Sequence, residues 1–266
     1  MPFKIIYTAD LHGNEIYYEK LFKKAKESEI KAVVLGGDLC PRGGNSLQEW
    51  ISMQKEFLEN YFIPKILETK KEFYVMVGND DFRINFKILE KAEEQGKLKV
   101  IHKKCHKIGS RHRIGYSFVN PTPFRLRDWE KFEDNKKEEP QRFSGEIIRS
   151  IEEEKGTIES DLKEIRKLSN PNATIYVTHA PPFNTKLDIV ASGIHVGSKA
   201  IRAFIEKEQP LITLHGHIHE SPKMSGSYID KIGKTACINL GSSYPKPLLN
   251  ALILDLTSLD IKYIEM

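Results

Sequence analysis

The sequence predicts an α/β protein with a mainly parallel β-sheet, and three observations support this prediction. Short apolar runs alternate with amphipathic stretches through the first hundred residues, as in repeated β-α-β units. Of the 266 residues, 39% are hydrophobic and 29% are charged, as in an ordinary folded protein. No apolar run approaches the roughly 20 residues that span a bilayer. We therefore expect one soluble domain over residues 1–266, built around a core of its own.

The first half of the chain contains three predicted strands, each followed by a predicted helix. The strands are expected at residues 3–8, 32–35 and 73–77. Leu21 and Ala25 lie at helical spacing within a first helix at 16–28. Ser46 and Glu49 form the pattern of a capping box, which predicts a second helix from there to about residue 63. A third helix at 86–95 should end at Gly96.

The second half changes in character before the strand pattern returns. A strand at 114–119 precedes a polar insertion at about 120–170, which carries the aromatic residues Phe124, Trp129, Phe132 and Phe143. These aromatic side chains form either a lid over a substrate or the small core of the insertion. Within the insertion we predict a long charged helix at 146–168. A helix at 198–207 and strands at 174–178, 211–214, 236–240, 251–256 and 261–264 complete the prediction.

Charge and cysteine usage narrow the class of protein. The net charge is +4, from 41 Lys and Arg against 37 Asp and Glu, which suits anionic substrates but is weak support for nucleic-acid binding. Cys40, Cys105 and Cys237 stand far apart, without a CxxC pair. Such a scattered, odd set argues against a disulfide framework and favours a reducing, cytoplasmic location. We expect Cys40 to be a buried neutral thiol.

The most informative residues directly follow the predicted strands. In parallel α/β sheets the carboxyl ends of the strands meet at one edge, where ligands bind. Gly37, Gly78 and Gly216 stand there, where the chain must turn sharply or approach a bound group closely. Polar side chains that can bind a metal ion follow five strands: Asp10 and His12, then Asp38, then Asn79, then His179, and finally His217 and His219.

Seven oxygen and imidazole ligands are too many for one ion, so we expect two divalent cations about 3.5–4 Å apart. Such a pair polarises a phosphoryl oxygen and acidifies a bridging water, which attacks phosphorus as hydroxide. A carboxylate must bridge the ions to offset their repulsion, and Asp38 is the best candidate. The lack of thiolate ligands disfavours a structural zinc site and favours manganese, with iron, zinc or nickel as alternatives.

Taken in order, these motifs resemble those of the calcineurin-like metallophosphoesterases. They are Asp10-x-His12, Gly37-Asp38, Gly78-Asn79-Asp80, His179 and Gly216-His217-x-His219. The resemblance extends from the first strand to about residue 243, apart from residues 120–170. It implies a four-layer α/β/β/α sandwich with a dinuclear metal site at the strand ends. It further implies one ion held by Asp10, His12, Asp38 and His219, and another held by Asp38, Asn79, His179 and His217.

Asp80 departs from the pattern that the resemblance implies. Many members of this family have His after the Asn, where it assists the leaving group. A carboxylate beside two cations should have a lowered pKa and be a poor proton donor near neutral pH. We therefore expect Asp38, Asn79 and Asp80 to form the catalytic group of an enzyme that favours phosphodiesters or activated esters.

Several further residues have both a structural and a functional interpretation. His195 precedes a helix that Ser198 would cap, and it could also contact substrate. Asn14 is first a helix start and second a phosphate contact, and we expect Asn239 to support the site structurally. His215 could be a metal ligand or a structural residue, and we favour the structural role. The basic residues are either a phosphate-binding rim or, as we favour, solvated surface: Arg111, His112, Arg113, Arg125 and Arg127.

Three functions remain in competition on these residues. The leading one is a phosphodiesterase that acts on a small-molecule phosphoester. A nuclease of the same family would need an extended basic groove with aromatic platforms, which the diffuse charge supports weakly. A non-catalytic scaffold would have little reason to retain every ligand position. The sequence is silent on the natural substrate and on the oligomeric state.

Overall fold

Two six-stranded sheets form the frame of the computed structural model, in which residues 2–138 and 146–266 are described. The strands are β1 (Lys4–Thr8), β2 (Ile30–Gly36), β3 (Glu72–Met76), β4 (Lys99–Val100), β5 (Cys105–Ile108), β6 (Arg111–Tyr116), β7 (Thr174–Thr178), β8 (Ile212–His215), β9 (Ile229–Ile232), β10 (Thr235–Asn239), β11 (Asn250–Asp255) and β12 (Ile261–Glu265). The first sheet has the order β12-β11-β1-β2-β3-β4, and the second has β5-β6-β7-β8-β10-β9.

Each sheet contains four parallel strands, bordered by antiparallel strands. β1 to β4 run parallel to their neighbours, while β11 and β12 pair antiparallel beside β1. In the second sheet β6, β7, β8 and β10 are parallel, and β5 and β9 are antiparallel at the two edges. The predicted parallel sheet is thus present as two mixed sheets. The strands β4, β5 and β9 were not predicted, because these edge strands lack a continuous apolar run.

The helices cover the outer faces of both sheets. They are α1 (Glu15–Ala25), α2 (Leu47–Glu56), α3 (Ile63–Glu68), α4 (Phe86–Glu94), α5 (Ile158–Ile165), α6 (Lys199–Glu208) and the short α7 (Ser221–Ser225). Along β2, Val33 and Leu35 join the core beneath the helices, whereas Val34 joins the core between the sheets. Burial on both faces of each sheet confirms the α/β/β/α sandwich, and it explains why the strands are continuously apolar.

The predicted helix at 46–63 extends further than expected. Ser46 caps α2 by accepting a hydrogen bond from the backbone NH of Glu49. A wide π-helical turn (Phe57–Phe62) then joins α2 to α3, although Pro64 lies in the first turn of α3. Proline lacks an NH group and its ring needs room beside the preceding turn. The wide turn supplies that room, so the helical path continues to Glu68.

The prediction of a long helix at 146–168 is wrong, because α5 begins only at Ile158. Thr157 caps α5 reciprocally with Ser160, and Gly156 before it has φ of +98°, which a helix cannot accommodate. Upstream, backbone NH groups bind other parts of the insertion instead of a helical turn. The NH of Ser150, for example, donates to Asp128 at 2.7 Å.

The insertion packs against the rest of the protein through Trp129. This side chain is buried and lies edge-on to Phe86, at 5.2 Å between ring centroids, and to His102, at 5.1 Å. By contrast, Phe124 is exposed. Phe143 lies outside the described residues. Trp129 therefore belongs to the main core, and the aromatic residues of the insertion do not act as one group. The single domain over 1–266 stays a prediction.

Two basic residues that we expected on the surface are buried. Arg113 points into the core from β6, with its guanidinium 5.9 Å from the centre of the Tyr74 ring. Burial lowers its pKa, since a charged group loses hydration there. Arg127 is also buried and lies 3.4 Å from the carboxylate of Glu130. Neither residue can contribute to an open phosphate-binding rim, so both interpretations offered for them were wrong.

The three cysteines are free thiols, and Cys40 and Cys237 are buried. Burial raises the pKa of the Cys40 thiol well above its usual value, in line with the expected neutral thiol. Within the described part of the chain, no helix has the length and apolar character needed to cross a membrane.

Candidate metal centre

The strand ends of both sheets bring the seven predicted ligands together. Asp10 and His12 follow β1, Asp38 follows β2 and Asn79 follows β3 in the first sheet. From the second sheet, His179 follows β7, and His217 and His219 follow β8. His217 and His219 are partly buried, and the other candidate ligands are buried. The site therefore lies where the carboxyl ends of the parallel strands of the two sheets meet.

Hydrogen bonds between neighbouring loops fix this meeting point. The NH of Asp10 donates to the carbonyl of Gly37 at 3.0 Å, and the NH of His12 donates to that of Asp38 at 2.9 Å. Between the sheets, the NH of His217 lies 3.1 Å from both carboxylate oxygens of Asp10. Each loop is thus positioned by another loop rather than by its own turn alone.

Four of the seven candidate ligands have a left-handed backbone. Their φ angles are +58° for Asp10, +46° for His12, +50° for Asp38 and +70° for His217. Such angles are uncommon outside glycine, although Asp and His adopt them more readily than most residues. They cost of order 1 kcal/mol each and tend to concentrate at functional sites. The fold therefore maintains strained backbone at this site.

Two glycines are required by close packing around the ligands. A Cβ atom on Gly37 would lie 2.6 Å from Nδ1 of His179, and one on Gly216 would lie 2.6 Å from Oδ2 of Asp10. Gly37 also has φ of +107°. The sequence-based interpretation of these glycines, that they allow close approach, agrees with this geometry.

The first predicted ligand group is tightly convergent. Ligand atoms of Asp10, His12, Asp38 and His219 all lie within 4.8 Å of one another. Nε2 of His12 is only 3.1 Å from Nε2 of His219. Two metal–nitrogen bonds of about 2.1 Å, at the angles of four- or six-coordinate ions, would separate the nitrogens by about 3.0–3.4 Å. The two imidazoles are therefore spaced as ligands of a common cation.

The second predicted group adjoins the first through Asp38. Oδ2 of Asp38 lies 3.8 Å from Nε2 of His12 and 3.4 Å from Nε2 of His179. Nε2 of His179 is also 3.2 Å from Oδ1 of Asn79. Its other ring nitrogen, Nδ1, donates to the carbonyl of Gly36 at 2.8 Å, which fixes the tautomer with Nε2 facing the cluster. Asp38 thus stands between the two ligand groups.

The protonation of the cluster reflects a balance of burial and charge. Burial would lower the pKa of His179, but the Asp38 and Asp10 carboxylates outweigh it and raise the pKa to about 9. Burial lowers the pKa of His12 and of His217 to about 3, so both imidazoles are neutral. A cation that binds here would replace the proton on His179 as the partner of Asp38.

The donor set fits divalent cations. Buried carboxylate, amide and imidazole groups converge without thiolates, which suits Mn²⁺, Fe or Zn²⁺ in a site open to substrate. Among the described residues, no lysine or arginine pairs with Asp10 or Asp38, and the nearby Arg42 pairs with Asp80 instead. The assignment of individual ligands stays a prediction.

Asp80 has contacts that the local sequence did not predict. Its carboxylate forms an ion pair with Arg42 and lies 3.6 Å from Nδ1 of His12. Burial and the Asp38 charge raise the pKa of Asp80 to about 7 against the opposing Arg42, whereas we expected bound cations to lower it. Sequence reasoning missed Arg42 because its position, four residues after Asp38, carries no strand-end signal.

Asp81 is a second residue to which the sequence assigned no role. Its buried carboxylate accepts hydrogen bonds from the NH groups of Cys40, at 2.8 Å, and of Gly78, at 2.8 Å. It also accepts one from the NH of Leu39 at 3.0 Å. These bonds join the loop that carries Asp38 to the loop that carries Asn79. Its place directly after Asn79 and Asp80 was the available signal.

The predicted supporting residues occupy definite positions. Asn14 caps α1 by accepting from the NH groups of Ile16 and Tyr17. His215 is buried and bonds Thr213 and the loop after β7, in agreement with a structural role. Asn239 donates to the carbonyl of Ile218 at 3.1 Å, between two candidate ligands. Arg125 is exposed and bonds the carbonyl of Glu146 within the insertion.

A cavity of about 730 Å³ lies beside the cluster, and His217 forms part of its wall. His195 also lines this cavity, next to Val196 and Gly197. Asn14 and Arg125 are absent from the described residues that line it. Of the three predicted substrate contacts, the structure therefore brings His195 into a cavity shared with a candidate ligand.

Comparisons with known proteins agree with this geometry. The chain is 29% identical over 241 residues to an uncharacterized protein, MJ1162, of Methanocaldococcus jannaschii, covering 89% of this chain and 87% of that one. The crystal structure of TT1561 of Thermus thermophilus covers 99% of both chains with a TM-score of 0.60 at 15% identity. Another solved crystal structure covers 100% of this chain and 99% of its own, with a TM-score of 0.68 at 18% identity. These two structures show the same fold.

The sequence model for the calcineurin-like phosphoesterases matches residues 3–221, which span the strand ends from Asp10 to His219. A match over most of the chain, two stacked sheets of the expected topology and an Asp/His cluster at their shared edge all lead to one conclusion. The chain belongs to the calcineurin-like phosphoesterase family.

Proposed function

We propose that this protein is a metal-dependent phosphodiesterase that hydrolyses small-molecule phosphoesters with two divalent cations, manganese foremost and iron, zinc or nickel as alternatives. The observation that carries the proposal is the position of Asp38. Its carboxylate lies between Nε2 of His12 and Nε2 of His179, at 3.8 and 3.4 Å. A bridging carboxylate between two ligand groups is the arrangement that a two-metal hydrolase needs.

Two divalent cations bound there would polarise the phosphoryl oxygens and lower the pKa of water. The protein supplies the geometry for this chemistry. Asp38 would offset the repulsion between the cations, and Asp10 would add a second carboxylate to the first group. His179, with Nδ1 held by Gly36, presents Nε2 in one fixed direction. The side-chain amide of Asn79 donates to Asp80 at 3.0 Å, which directs its oxygen towards His179.

The direct test is hydrolysis of bis-p-nitrophenyl phosphate. We expect the manganese-loaded protein to release p-nitrophenolate, chelation by EDTA to abolish the activity, and added Mn²⁺ to restore it. p-Nitrophenyl acetate carries the same chromophore on a carboxylic ester and serves as the control that should remain intact. A rate that does not respond to EDTA or to manganese would contradict the proposal of a metal-dependent enzyme and favour the non-catalytic scaffold.

The role proposed for Asp80 concerns leaving groups. Burial raises its pKa to about 7, but its ion pair with Arg42 and the charge of two bound cations would favour the carboxylate form, which cannot protonate a departing alkoxide. We expect Asp80→His to raise kcat/KM for an alkyl phosphate monoester by about tenfold or more, because a general acid contributes about 10²–10⁴-fold. The matched control is Asp80→Asn, which removes the charge without adding a proton donor. Equal monoester rates for wild type and Asp80→His would contradict the role.

The surroundings of the site speak against the nuclease alternative. The cavity is lined by three glutamates, Glu133, Glu138 and Glu220. Its described lining residues include one basic side chain of the lysine or arginine type, that of Lys199. A polyanion would be repelled by such a wall rather than guided along it. A small ester with one phosphate group at the cluster fits this distribution of charge better.

A further inference from the structure

The cavity beside the cluster has a predominantly apolar wall, and we call it the side cavity. Its apolar part is formed by Phe124, Phe183, Val190, Ile194, Val196 and Ile218. Phe124 and Ile194 are 49% and 61% exposed, which is unusual for two large apolar side chains at one opening. A volume of about 730 Å³ can hold a ring-sized organic group.

The side cavity is continuous with the metal centre. His217, a candidate ligand, and its neighbour Ile218 both contribute to the wall. A phosphoester bound at the cluster would therefore have an organic substituent within reach of this space. Binding sites commonly combine an apolar wall with a few fixed polar groups, and the cluster would hold the phosphate end.

One polar residue of the wall, His195, is held rigidly. Its Nδ1 lies 2.7 Å from the buried carboxylate of Asp188. Asp188 also accepts from the NH groups of Thr185, at 2.8 Å, and of Gly197, at 3.0 Å. Because Nδ1 is occupied by Asp188, the other edge of this partly exposed ring is the part that a ligand can contact.

The charged residues of the wall are largely occupied by the protein itself. Glu133 caps α6, since it accepts from the Oγ of Ser198 at 2.8 Å and from the NH of Ala200 at 3.0 Å. Glu138 lies 3.4 Å from the ammonium group of Lys199. The wall therefore offers no cluster of cations for a second phosphate group among the residues that the structure describes.

From these contacts we infer that the side cavity binds an uncharged, apolar, ring-sized organic group of the phosphoester substrate. The inference rests on the proposed function, because the phosphate must be held at the metal centre. It assigns substrate selectivity to the wall of this cavity, to which the exposed side chains of Phe124 and Ile194 and the ring of His195 contribute. Methyl esters and polyanionic esters would then be poor ligands.

The test compares two phosphonates that share one head group. Methylphosphonate has no group to place in the side cavity, whereas 1-naphthylmethylphosphonate has a two-ring apolar group. We expect calorimetric titration of the manganese-loaded protein to show roughly 30-fold tighter binding of the naphthyl compound, because apolar surface is removed from water. The naphthyl fluorescence should change on binding, which gives a readout independent of hydrolysis.

Two variants of exposed residues test the location. Ile194→Asn replaces an exposed apolar side chain of the wall with an amide and should reduce naphthyl binding by about fivefold. Phe124→Ala removes part of the wall and should reduce naphthyl binding by about fivefold. Leu168→Asn is the matched control, since Leu168 is also exposed and is absent from the described residues that line the cavity.

The outcomes separate this inference from the proposed function. Equal affinity for the two phosphonates in an active, manganese-dependent enzyme would overturn the inference alone. A preference left unchanged by both Ile194→Asn and Phe124→Ala would also overturn it. Selective naphthyl binding by a protein that hydrolyses no phosphoester would instead overturn the proposed function, and with it the assignment of the cavity to a substrate.

Discussion

Asp38→Asn should reduce kcat/KM for bis-p-nitrophenyl phosphate by at least about 10³-fold. The two-cation arrangement contributes several kcal/mol of transition-state stabilisation, and each 1.4 kcal/mol corresponds to about tenfold in rate. An amide keeps the shape of the carboxylate but lacks the negative charge that would hold two cations together. Metal analysis should show a fall from two manganese ions to at most one for each chain.

The substitution is suited to this position because the backbone tolerates it. Asp38 has φ of +50°, a conformation in which Asn is more readily accommodated than most residues. The thermal transition of Asp38→Asn should therefore remain cooperative, which separates lost catalysis from lost folding. Asp260→Asn, the same change at an exposed turn, is the control and should match wild type. Full activity of Asp38→Asn would contradict the proposal that the Asp38 carboxylate bridges the two cations.

Lys131→Met should lower the free energy of unfolding by about 1.5–3 kcal/mol, the range for hydrogen bonds to charged groups, because Lys103 still pairs with Glu154 and Asp161. The ammonium group of Lys131 is buried and lies 2.9 Å from Glu154 and 2.7 Å from Asp161. It also sits 4.4 Å from the centre of the Phe118 ring. Chemical denaturation at neutral pH measures the change.

Lys163→Met is the matched control for this prediction. Lys163 pairs with Glu159 on the surface of α5, and such exposed pairs contribute about 0–1 kcal/mol. A loss of stability in Lys131→Met no larger than that of Lys163→Met would contradict the prediction. In that case the ion pairs of Lys131 with Glu154 and Asp161 would contribute little to stability.

The ion pairs of Lys131 with Glu154 and Asp161 should also make the free energy of unfolding depend on pH in the acid range. Burial would raise the pKa of Glu154, but Lys103 and Lys131 outweigh it and lower the pKa to about 2. Because the pKa of Glu154 is lower in the folded protein than in the unfolded chain, its contribution is present above about pH 4.5 and is lost as the pH falls towards 2. Lys131→Met should weaken this part of the acid dependence.

Much of the metal centre was predictable because strand ends carry local signals. Asp10, Asp38 and Asn79 each follow a short apolar run, and parallel strands bring such positions to one edge of a sheet. His217 and His219, two residues apart after another strand, completed an ordered set of motifs that is specific as a whole although each part is weak alone. Short edge strands such as β4 and β9 lacked this kind of signal, since two to four residues show little periodicity.

The interpretation failed where side chains depend on distant parts of the chain. Residues 146–168 look helical as a charged stretch, but the Asp128 carboxylate takes the NH of Ser150 and Gly156 interrupts the path. Arg113 looks solvated in a basic run, yet the strand alternation of β6 turns it into the core. Gly156 was a local signal against a continuous helix, but Asp128 and the core that surrounds Arg113 lie elsewhere in the chain.

The sequence by itself determined the make-up of the candidate metal centre: the types of polar side chain, their order and the strand ends on which they lie. These properties are local, since an apolar run and the polar residue that follows it are adjacent in the chain. The tertiary structure alone decided that Asp80 pairs with Arg42, that Asp81 joins two loops and that His217 and His195 share the side cavity. Those contacts depend on how two sheets stack and how loops from different strands pack, and packing of that kind leaves no periodic pattern in the sequence.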